Sequence, residues 1–416
     1  MNKHFIYAMA IIASTFSFVS CDDDDDETYV SSSSSSSTDD DDDSSDTDTS
    51  DDTDADDDTT AEDEGLADGS TLQGTITEDV TLSANNTYYL SGEYIVEDGA
   101  CLYIEEGVNI ISIYDDIVDY ILIKQGAQIN AVGTASNPII MTSEKEEPGA
   151  WGGIHICGKA PINVEGGEGS SEIGDATYGG DDESDNSGVL SYVRVEYTGY
   201  AFDEEHEANG ITFYGVGNGT TVDHCEAYKG SDDGFEFFGG TVNISYMVVE
   251  SCSDDSYDWT EGWCGTATNL VAFQEAEETL GYDCDCLIEA DNNENNYDAT
   301  PISHPTLSDL ILVGNNSSAN KRGIRLRRGT EVTLDGAEIT GKNNCVTLES
   351  TQTETALLEG TSSLTNIVAD TELLSENGIY TNEMFEAAGN STTSTISYSS
   401  ISDIEAVCTW MSGWIK

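Results

Sequence analysis

Acidic side chains recur with one spacing in the middle of this sequence. They form two sets of three that lie 22 positions apart: Asp232, Asp233 and Glu236, then Asp254, Asp255 and Asp258. Carboxylates that lie close together cannot all remain ionised unless a cation neutralises them or their pKa values rise. Ca²⁺ takes about six to eight oxygen ligands in a flexible geometry, which carboxylates in adjacent turns can supply. The spacing therefore predicts a calcium site, although aspartates that only cap turns or hold a structural ion give the same pattern.

Basic residues are scarce, and five of them lie in one short segment: Lys321, Arg322, Arg325, Arg327 and Arg328. A base beside a bound calcium could remove the proton next to a substrate carboxylate, which is the chemistry of a polysaccharide lyase. Lys321, Arg322 and Arg325 are the candidates for that catalytic role. The alternative interpretation is that these cations pair with neighbouring acids and hold them together. A glycoside hydrolase would instead use two carboxylates across a sugar, and stacked acids can supply such a pair.

The same spacing runs through the surrounding sequence and predicts the fold. The segments that begin at Gly210, Gly234 and Ser256 align with offsets of 24 and 22 residues, and short β-rich runs alternate with Gly, Asn and Asp turns. Such a repeat, in which each unit buries side chains only against its neighbours, is typical of a β-solenoid with three short strands per coil. We therefore expect residues 69–416 to form an all-β domain, a parallel β-helix.

Alternation along each strand then assigns side chains to the inside or the outside of a coil. Aromatic residues are expected to point inward and stack on one another: Phe235, Phe237, Tyr257 and Trp259. The residues that alternate with them are expected to point outward, which predicts an outward acidic column of Glu236, Asp258 and, in the next coil, Glu289. Arg325 is expected to continue this column.

The overall charge limits the partners of the chain. Its 416 residues carry 13 Lys and Arg against 82 Asp and Glu, a formal net charge of −69. Such a surface repels phosphate backbones and anionic lipid, so nucleic-acid binding and electrostatic membrane binding are excluded. Cations are the expected small partners.

The amino terminus has the features of an export signal. Residues 1–20 combine Lys3 with a short apolar run, which is typical of a signal peptide. Ser20 before Cys21 resembles a bacterial lipobox, which implies that Cys21 becomes the lipidated first residue. Residues 21–68 are otherwise rich in Asp, Ser and Thr, so we expect a disordered tether. The acidic run after Cys21 resembles the surface-export signal of Bacteroidetes lipoproteins.

Ten cysteines in an exported chain predict disulfides. With Cys21 set aside, an odd number remains, so at least one cysteine has no partner within the chain. We expect the cysteines to act as staples and core fillers, and the sequence does not assign their pairing.

Longer stretches resemble a known group of proteins. GAQINAVGTASNPIIMTS and AWGGIHI resemble the opening coils of exported bacterial right-handed β-helix proteins, and GVLSYVRVEYTG, GSDDGFEFFGGTVN and SDDSYDWTEGW resemble Bacteroidetes surface lipoproteins. The likeness covers residues 70–416 and implies a right-handed parallel β-helix. SDDGFEFF also resembles the calcium motif of β-helix pectate lyases, which implies that Asp232, Asp233 and Glu236 bind the ion that docks a uronate. Glu236 stands where that motif has Asp.

Two functional hypotheses follow. The first is a non-enzymatic surface protein, anchored in the outer membrane through Cys21 and facing the cell exterior. Its role would be binding, adhesion or structure, with calcium bound and with an extracellular glycan or another surface protein as partner. The alternative is a calcium-dependent polysaccharide lyase, or a glycoside hydrolase, that acts on acidic glycans. Whether Lys321, Arg322 and Arg325 are free or ion-paired distinguishes the two.

The lipobox interpretation gives a first prediction. Because one acylated cysteine supplies all the membrane affinity of this acidic chain, Cys21→Ser should move the protein from the membrane pellet to the soluble fraction. Cell fractionation and immunoblotting measure this, with Cys408→Ser as the matched control that should still pellet. A Cys21→Ser protein that remains with the outer membrane would show that the lipobox interpretation is wrong.

Overall fold

A computed structural model describes residues 65–115, 117–201 and 207–416 of the chain. In these residues, 23 of the 25 strands form one continuous ladder of parallel strands. Each coil hydrogen-bonds to the coils before and after it, at the spacing of about 4.8 Å that separates neighbouring strands. The coil is right-handed, as nearly all parallel strand connections are. The predicted all-β, right-handed parallel β-helix is confirmed.

The strands are short, and helices are few. The early strands are β1 (Thr71–Ile76), β2 (Val80–Leu82), β3 (Thr87–Val96), β4 (Cys101–Ile104), β5 (Asn109–Ser112), β6 (Tyr120–Ile123), β7 (Gln128–Val132), β8 (Ile139–Ser143) and β9 (Ile154–Cys157). An insertion carries the antiparallel pair β10 (Gly169–Ser170) and β11 (Thr177–Tyr178). The later strands are β12 (Gly188–Glu196), β13 (Ile211–Tyr214), β14 (Thr221–Tyr228), β15 (Phe235–Phe238), β16 (Asn243–Glu250), β17 (Tyr257–Thr260), β18 (Thr266–Phe273), β19 (Ile288–Ala290), β20 (Thr306–Val313), β21 (Arg322–Leu326), β22 (Thr333–Thr340), β23 (Asn344–Leu348), β24 (Ser363–Ala369) and β25 (Leu374–Ser375).

The helices are α1 (Glu277–Leu280), α2 (Thr351–Glu359), α3 (Asn382–Ala387) and α4 (Ile401–Glu405), with a 3-10 turn at Thr409–Met411. None of the helices in the described residues is long and apolar enough to cross a membrane.

Each later coil passes over three faces, which we number 1 to 3 in chain order. Strands such as β14 and β16 cover faces 1 and 2 and bend between them at one residue in the left-handed conformation, for example His224 (φ 50°) and Tyr246 (φ 57°). Face 3 consists of β6, β9, β13, β15, β17, β19, β21, β23 and β25, with the ends of β1 and β3. Residues that are one coil apart therefore lie directly over one another.

Aromatic side chains of face 3 stack inside the coil. Phe235 is in register with Tyr257, and their ring centroids are 5.9 Å apart. Phe237 is in register with Trp259, and its ring lies 5.1 Å from that of Phe213 in the preceding coil. All five side chains are buried. The predicted alignment of these coils, and the inward direction of their aromatic residues, are confirmed.

The expectation of disulfides is wrong for the described part of the chain, where all the cysteines are free. For cysteines that lie in strands, the residue in register is of another type. Cys101 lies beside Gln128, and Cys225 lies beside Val193. Seven of the nine described cysteines are buried. These seven cysteines fill the core, which agrees with the expectation that cysteines act as core fillers.

Residues 1–64 lie outside the described residues. They include the predicted signal peptide, the cysteine predicted to be lipidated and most of the predicted tether. The last residues assigned to the tether contact the first coil. Leu66 forms a β-bridge with Leu82. Asp68 Oδ1 accepts the backbone N–H of Thr87 at 2.9 Å. Contacts with the first coil therefore begin before residue 69.

The aromatic column gives a prediction about stability. Phe237 stacks on Phe213 and on Trp263, with 4.3 Å between the centroids of the second pair. Phe237→Ala should lower the free energy of unfolding by about 3–5 kcal/mol, because it leaves a cavity in the core. Tyr103→Ala, at a side chain that is 39% exposed on β4, should change it by about 0.5 kcal/mol or less. Chemical denaturation measures both, and equal effects would contradict the inward placement of Phe237.

Candidate functional site

Acidic side chains project from the outer surface of face 3 in consecutive coils. Thr212 of β13 is in register with Glu236 of β15, which is in register with Asp258 of β17. Asp258 is in register with Glu289 of β19, and Glu289 with Arg325 of β21. The outward column is thus a run of three acids between a threonine and an arginine.

Two acidic pairs lie in the turns that lead into face 3, because Asp232–Asp233 precedes β15 and Asp254–Asp255 precedes β17. Asp233 Oδ1 accepts the backbone N–H of Asp255 at 2.9 Å. Asp255 Oδ1 accepts the backbone N–H of Cys286, in the following coil, at 2.6 Å. One oxygen of Asp233 and one of Asp255 therefore cap turns, which is the role that the alternative interpretation gave to these aspartates. The second oxygen of each carboxylate accepts no hydrogen bond from the described residues and can act as a ligand.

The structure brings all six predicted ligands together in one cleft of about 340 Å³. We call it the acid cleft; the six ligands share it with Glu289 and Arg325, and with Asn209, Glu172, Glu207 and Asp285, which sequence reasoning missed. Glu172 and Glu207 lie between coils, where alignment of the coils assigns no position. Cys286 lies one coil after Asp255, so Asp285 occupies the position of Asp254 in the next turn. Extending the alignment of these turns by one coil could therefore have found Asp285.

Carboxylate oxygens in the acid cleft are close enough to share a cation. Among the described residues, five groups of three possible ligands have their ligand atoms within 4.8 Å of one another, and two of these groups are Asp233, Glu236 and Asp258, and Glu207, Asp232 and Asp254. Oxygens at this separation can lie on opposite sides of a Ca²⁺ ion, whose ligands are at about 2.3–2.6 Å. The acid cleft therefore has the donor set and the spacing of a calcium site.

Burial raises the pKa of these acids. The pKa of Asp233 lies well above its usual range, because the side chain is desolvated and other aspartates surround it. Burial, followed by nearby acids, raises the pKa of Glu236 in the same direction. For Asp254 the same causes raise the pKa to about 6. Without a bound cation, these carboxyls therefore keep their protons to higher pH than exposed carboxyls do.

Two of the bases predicted as catalytic candidates are ion-paired. Arg325 Nη1 donates to Glu289 at 2.5 Å, and its Nε donates to Glu349 at 2.9 Å. Arg322 Nη2 lies 3.2 Å from the Asp285 carboxylate. These guanidinium groups neutralise acids of the adjoining coils, which is the alternative that the sequence left open.

The third candidate, Lys321, is exposed, and it forms no ion pair with another described residue. Arg327 and Arg328 both pair with Asp291, at 2.7 and 3.0 Å. None of the six predicted ligands forms an ion pair with a basic residue in the part of the chain that the structure describes. Among the described residues, direct ion pairs therefore involve the third acidic coil, whereas Arg327 lowers the pKa values of Asp254 and Asp258 only at longer range.

A wider cavity of about 930 Å³ adjoins the acid cleft, and the two share Glu172, Glu236 and Asp258. We call it the wide cavity; Phe238 and Glu261 lie in its wall. Tyr178 donates its hydroxyl to Glu261 at 2.8 Å. Burial raises the pKa of Glu261 to about 7. The wide cavity thus combines an aromatic ring with carboxyl groups.

Comparison with known proteins identifies the family of the chain. Residues 74–415 match the model of a family described as a pectate-lyase like beta helix domain. The chain therefore belongs to that family. No curated protein and no solved structure matches it. The family includes polysaccharide lyases, so membership identifies the fold without distinguishing an enzyme from a binding protein.

The raised pKa values predict how stability depends on pH when a chelator removes metal ions. The unfolded chain ionises aspartate near pH 4, whereas the folded chain keeps protons to higher pH, to about 6 at Asp254. The folded state then binds more protons than the unfolded state, so the free energy of unfolding should fall as the pH rises from about 4 to 7. Urea unfolding in EDTA measures this slope.

A variant with Asp232, Asp233, Asp254 and Asp255 replaced by Asn should have a smaller slope, because it lacks four of the groups that take up these protons. Equal slopes in the two proteins would show that the protons lie elsewhere in the molecule.

Proposed function

We propose that this member of the pectate-lyase-like β-helix family is a non-catalytic surface module that binds calcium in its acid cleft. Lipidation of Cys21 would anchor it in the outer membrane, facing the cell exterior, with the acidic segment after Cys21 as its tether. The ion would stabilise the stacked coils and provide a contact for an extracellular glycan or another surface protein.

One observation carries the calcium proposal: two adjacent coils place carboxylates together without a basic partner among the described residues. In the next coil, Arg325 neutralises Glu289 at 2.5 Å. Charges of one sign that are held together away from water repel one another strongly. A divalent cation removes that repulsion, and Ca²⁺ suits a set of carboxylate oxygens that has no fixed geometry.

The arginine contacts disfavour catalysis. A base must reach the proton that it removes, whereas Arg322 and Arg325 donate their N–H groups to acids of the protein. Lys321 is exposed and has no ion pair within the described residues. It is the one observation that favours the second candidate function, a calcium-dependent lyase of acidic glycans.

Calcium should raise the stability of the protein, and the acid cleft should account for the gain. An ion that binds only the folded chain adds about 2.7 kcal/mol at a hundredfold excess over its Kd. The test variant replaces four cleft aspartates by asparagine: Asp232, Asp233, Asp254 and Asp255. The matched control replaces four exposed glutamates by glutamine: Glu277, Glu278, Glu359 and Glu376. Thermal denaturation and calorimetric titration should show that the test variant loses most of the gain and that the control keeps it.

An equal calcium response in the parent and the test variant would contradict the proposal and assign the ion to another acidic segment, such as the one after Cys21. The same calcium-loaded samples, incubated with acidic glycan, should release no unsaturated products. Release that disappears in Lys321→Ala would establish the lyase function instead.

A further inference from the structure

The wide cavity beside the acid cleft has the composition of a sugar-binding subsite. We propose that it binds a neutral glycan through two adjacent hydroxyls of one sugar ring, with Phe238 as the stacking surface and the calcium ion as the bridge. This inference rests on the proposed calcium binding. It adds the class of glycan that the protein takes and the residue that contacts it.

Phe238 lines the wide cavity with a half-buried aromatic ring. It is the last residue of β15, and its side chain points outward, as that of Glu236 does. Tyr214 of the preceding coil stacks on the ring, with 4.7 Å between centroids and 20° between planes. In the following coil the residue in register is Thr260, whose small side chain leaves room on that side. Such a ring can stack against the apolar face of a sugar.

Glu236 and Asp258 connect this ring to the proposed ion, because both line the acid cleft and the wide cavity. Glu236 precedes Phe238 by two residues on one strand, which is about 6.6 Å. Asp233, Glu236 and Asp258 supply only part of the shell of about six to eight oxygens that Ca²⁺ takes. Two adjacent sugar hydroxyls can complete that shell while the sugar ring lies on Phe238.

The charges of the wide cavity favour a neutral sugar over an acidic one. Its wall includes the carboxyl groups of Glu261 and Glu294. The basic residues among the described residues of that wall are Arg327 and Arg328, and both donate to Asp291, at 2.7 and 3.0 Å. Seven acidic residues line this wall against these two basic ones, so the cavity as a whole repels a uronate carboxylate. The wall carboxylates can instead accept hydrogen bonds from sugar hydroxyls.

Calorimetric titration of the full-length protein tests the inference. The probes are hexasaccharides of xylan, mannan and β-glucan, which are neutral, and oligogalacturonate, which is anionic, each with calcium and with EDTA. We expect at least one neutral probe to bind in calcium and none in EDTA, and oligogalacturonate to bind more weakly. Phe238→Leu should weaken binding of the neutral probe about tenfold, and Phe238→Trp should retain it. Tyr103→Leu, at an exposed aromatic side chain on face 1, is the matched control and should bind like the parent.

Four results would overturn the subsite: no neutral probe binds in calcium, oligogalacturonate binds more tightly than every neutral probe, neutral binding persists in EDTA, or Phe238→Leu binds like the parent. Calcium titration of Phe238→Leu separates this inference from the proposed function. A variant that binds calcium normally and loses the sugar supports the subsite. A parent protein that binds no calcium contradicts the proposed function itself.

Discussion

Stacking of coils in register is the constraint on which this molecule depends. Each strand of a parallel β-helix lies about 4.8 Å from the same strand of the next coil, so a residue type that recurs at the coil period stacks on itself. Inside face 3 this brings Phe235 over Tyr257, where stacking adds to burial. Outside, it brings Glu236 over Asp258, where like charges repel. One geometry thus produces both the stable core and the electrostatically unfavourable surface.

The chain relieves this repulsion in two ways along one column. At Glu289 the relief comes from Arg325, in the next coil, which also binds Glu349. At Glu236 and Asp258 no described base forms a direct ion pair, and burial raises both pKa values, although Arg327 lowers that of Asp258 at longer range. Protons can provide relief at low pH and a divalent cation at neutral pH. The transition from arginine-paired to unpaired acids marks the part of the surface that is suited to an external cation.

The sequence predicts those features that follow from periodicity. The offset of 22 residues was enough to align Asp233 with Asp255 and to direct Phe237 inward. It could not locate Glu172 or Glu207, because insertions between coils have no register. The disulfide expectation failed because residue counting ignores which residues stacking brings into contact. The same alternation places Phe238 outward, but its role could not be predicted, because a cavity becomes visible only when neighbouring loops have been placed.

Binding of a divalent cation by the acids of two adjacent coils can be measured most directly by anomalous diffraction from crystals grown in calcium, compared with crystals grown in EDTA. We expect a calcium peak among Asp233, Glu236 and Asp258, at about 2.3–2.6 Å from their oxygens, that is absent in EDTA. A cleft without that peak at neutral pH, with its carboxyls hydrogen-bonded to one another, would show that these acids do not hold calcium.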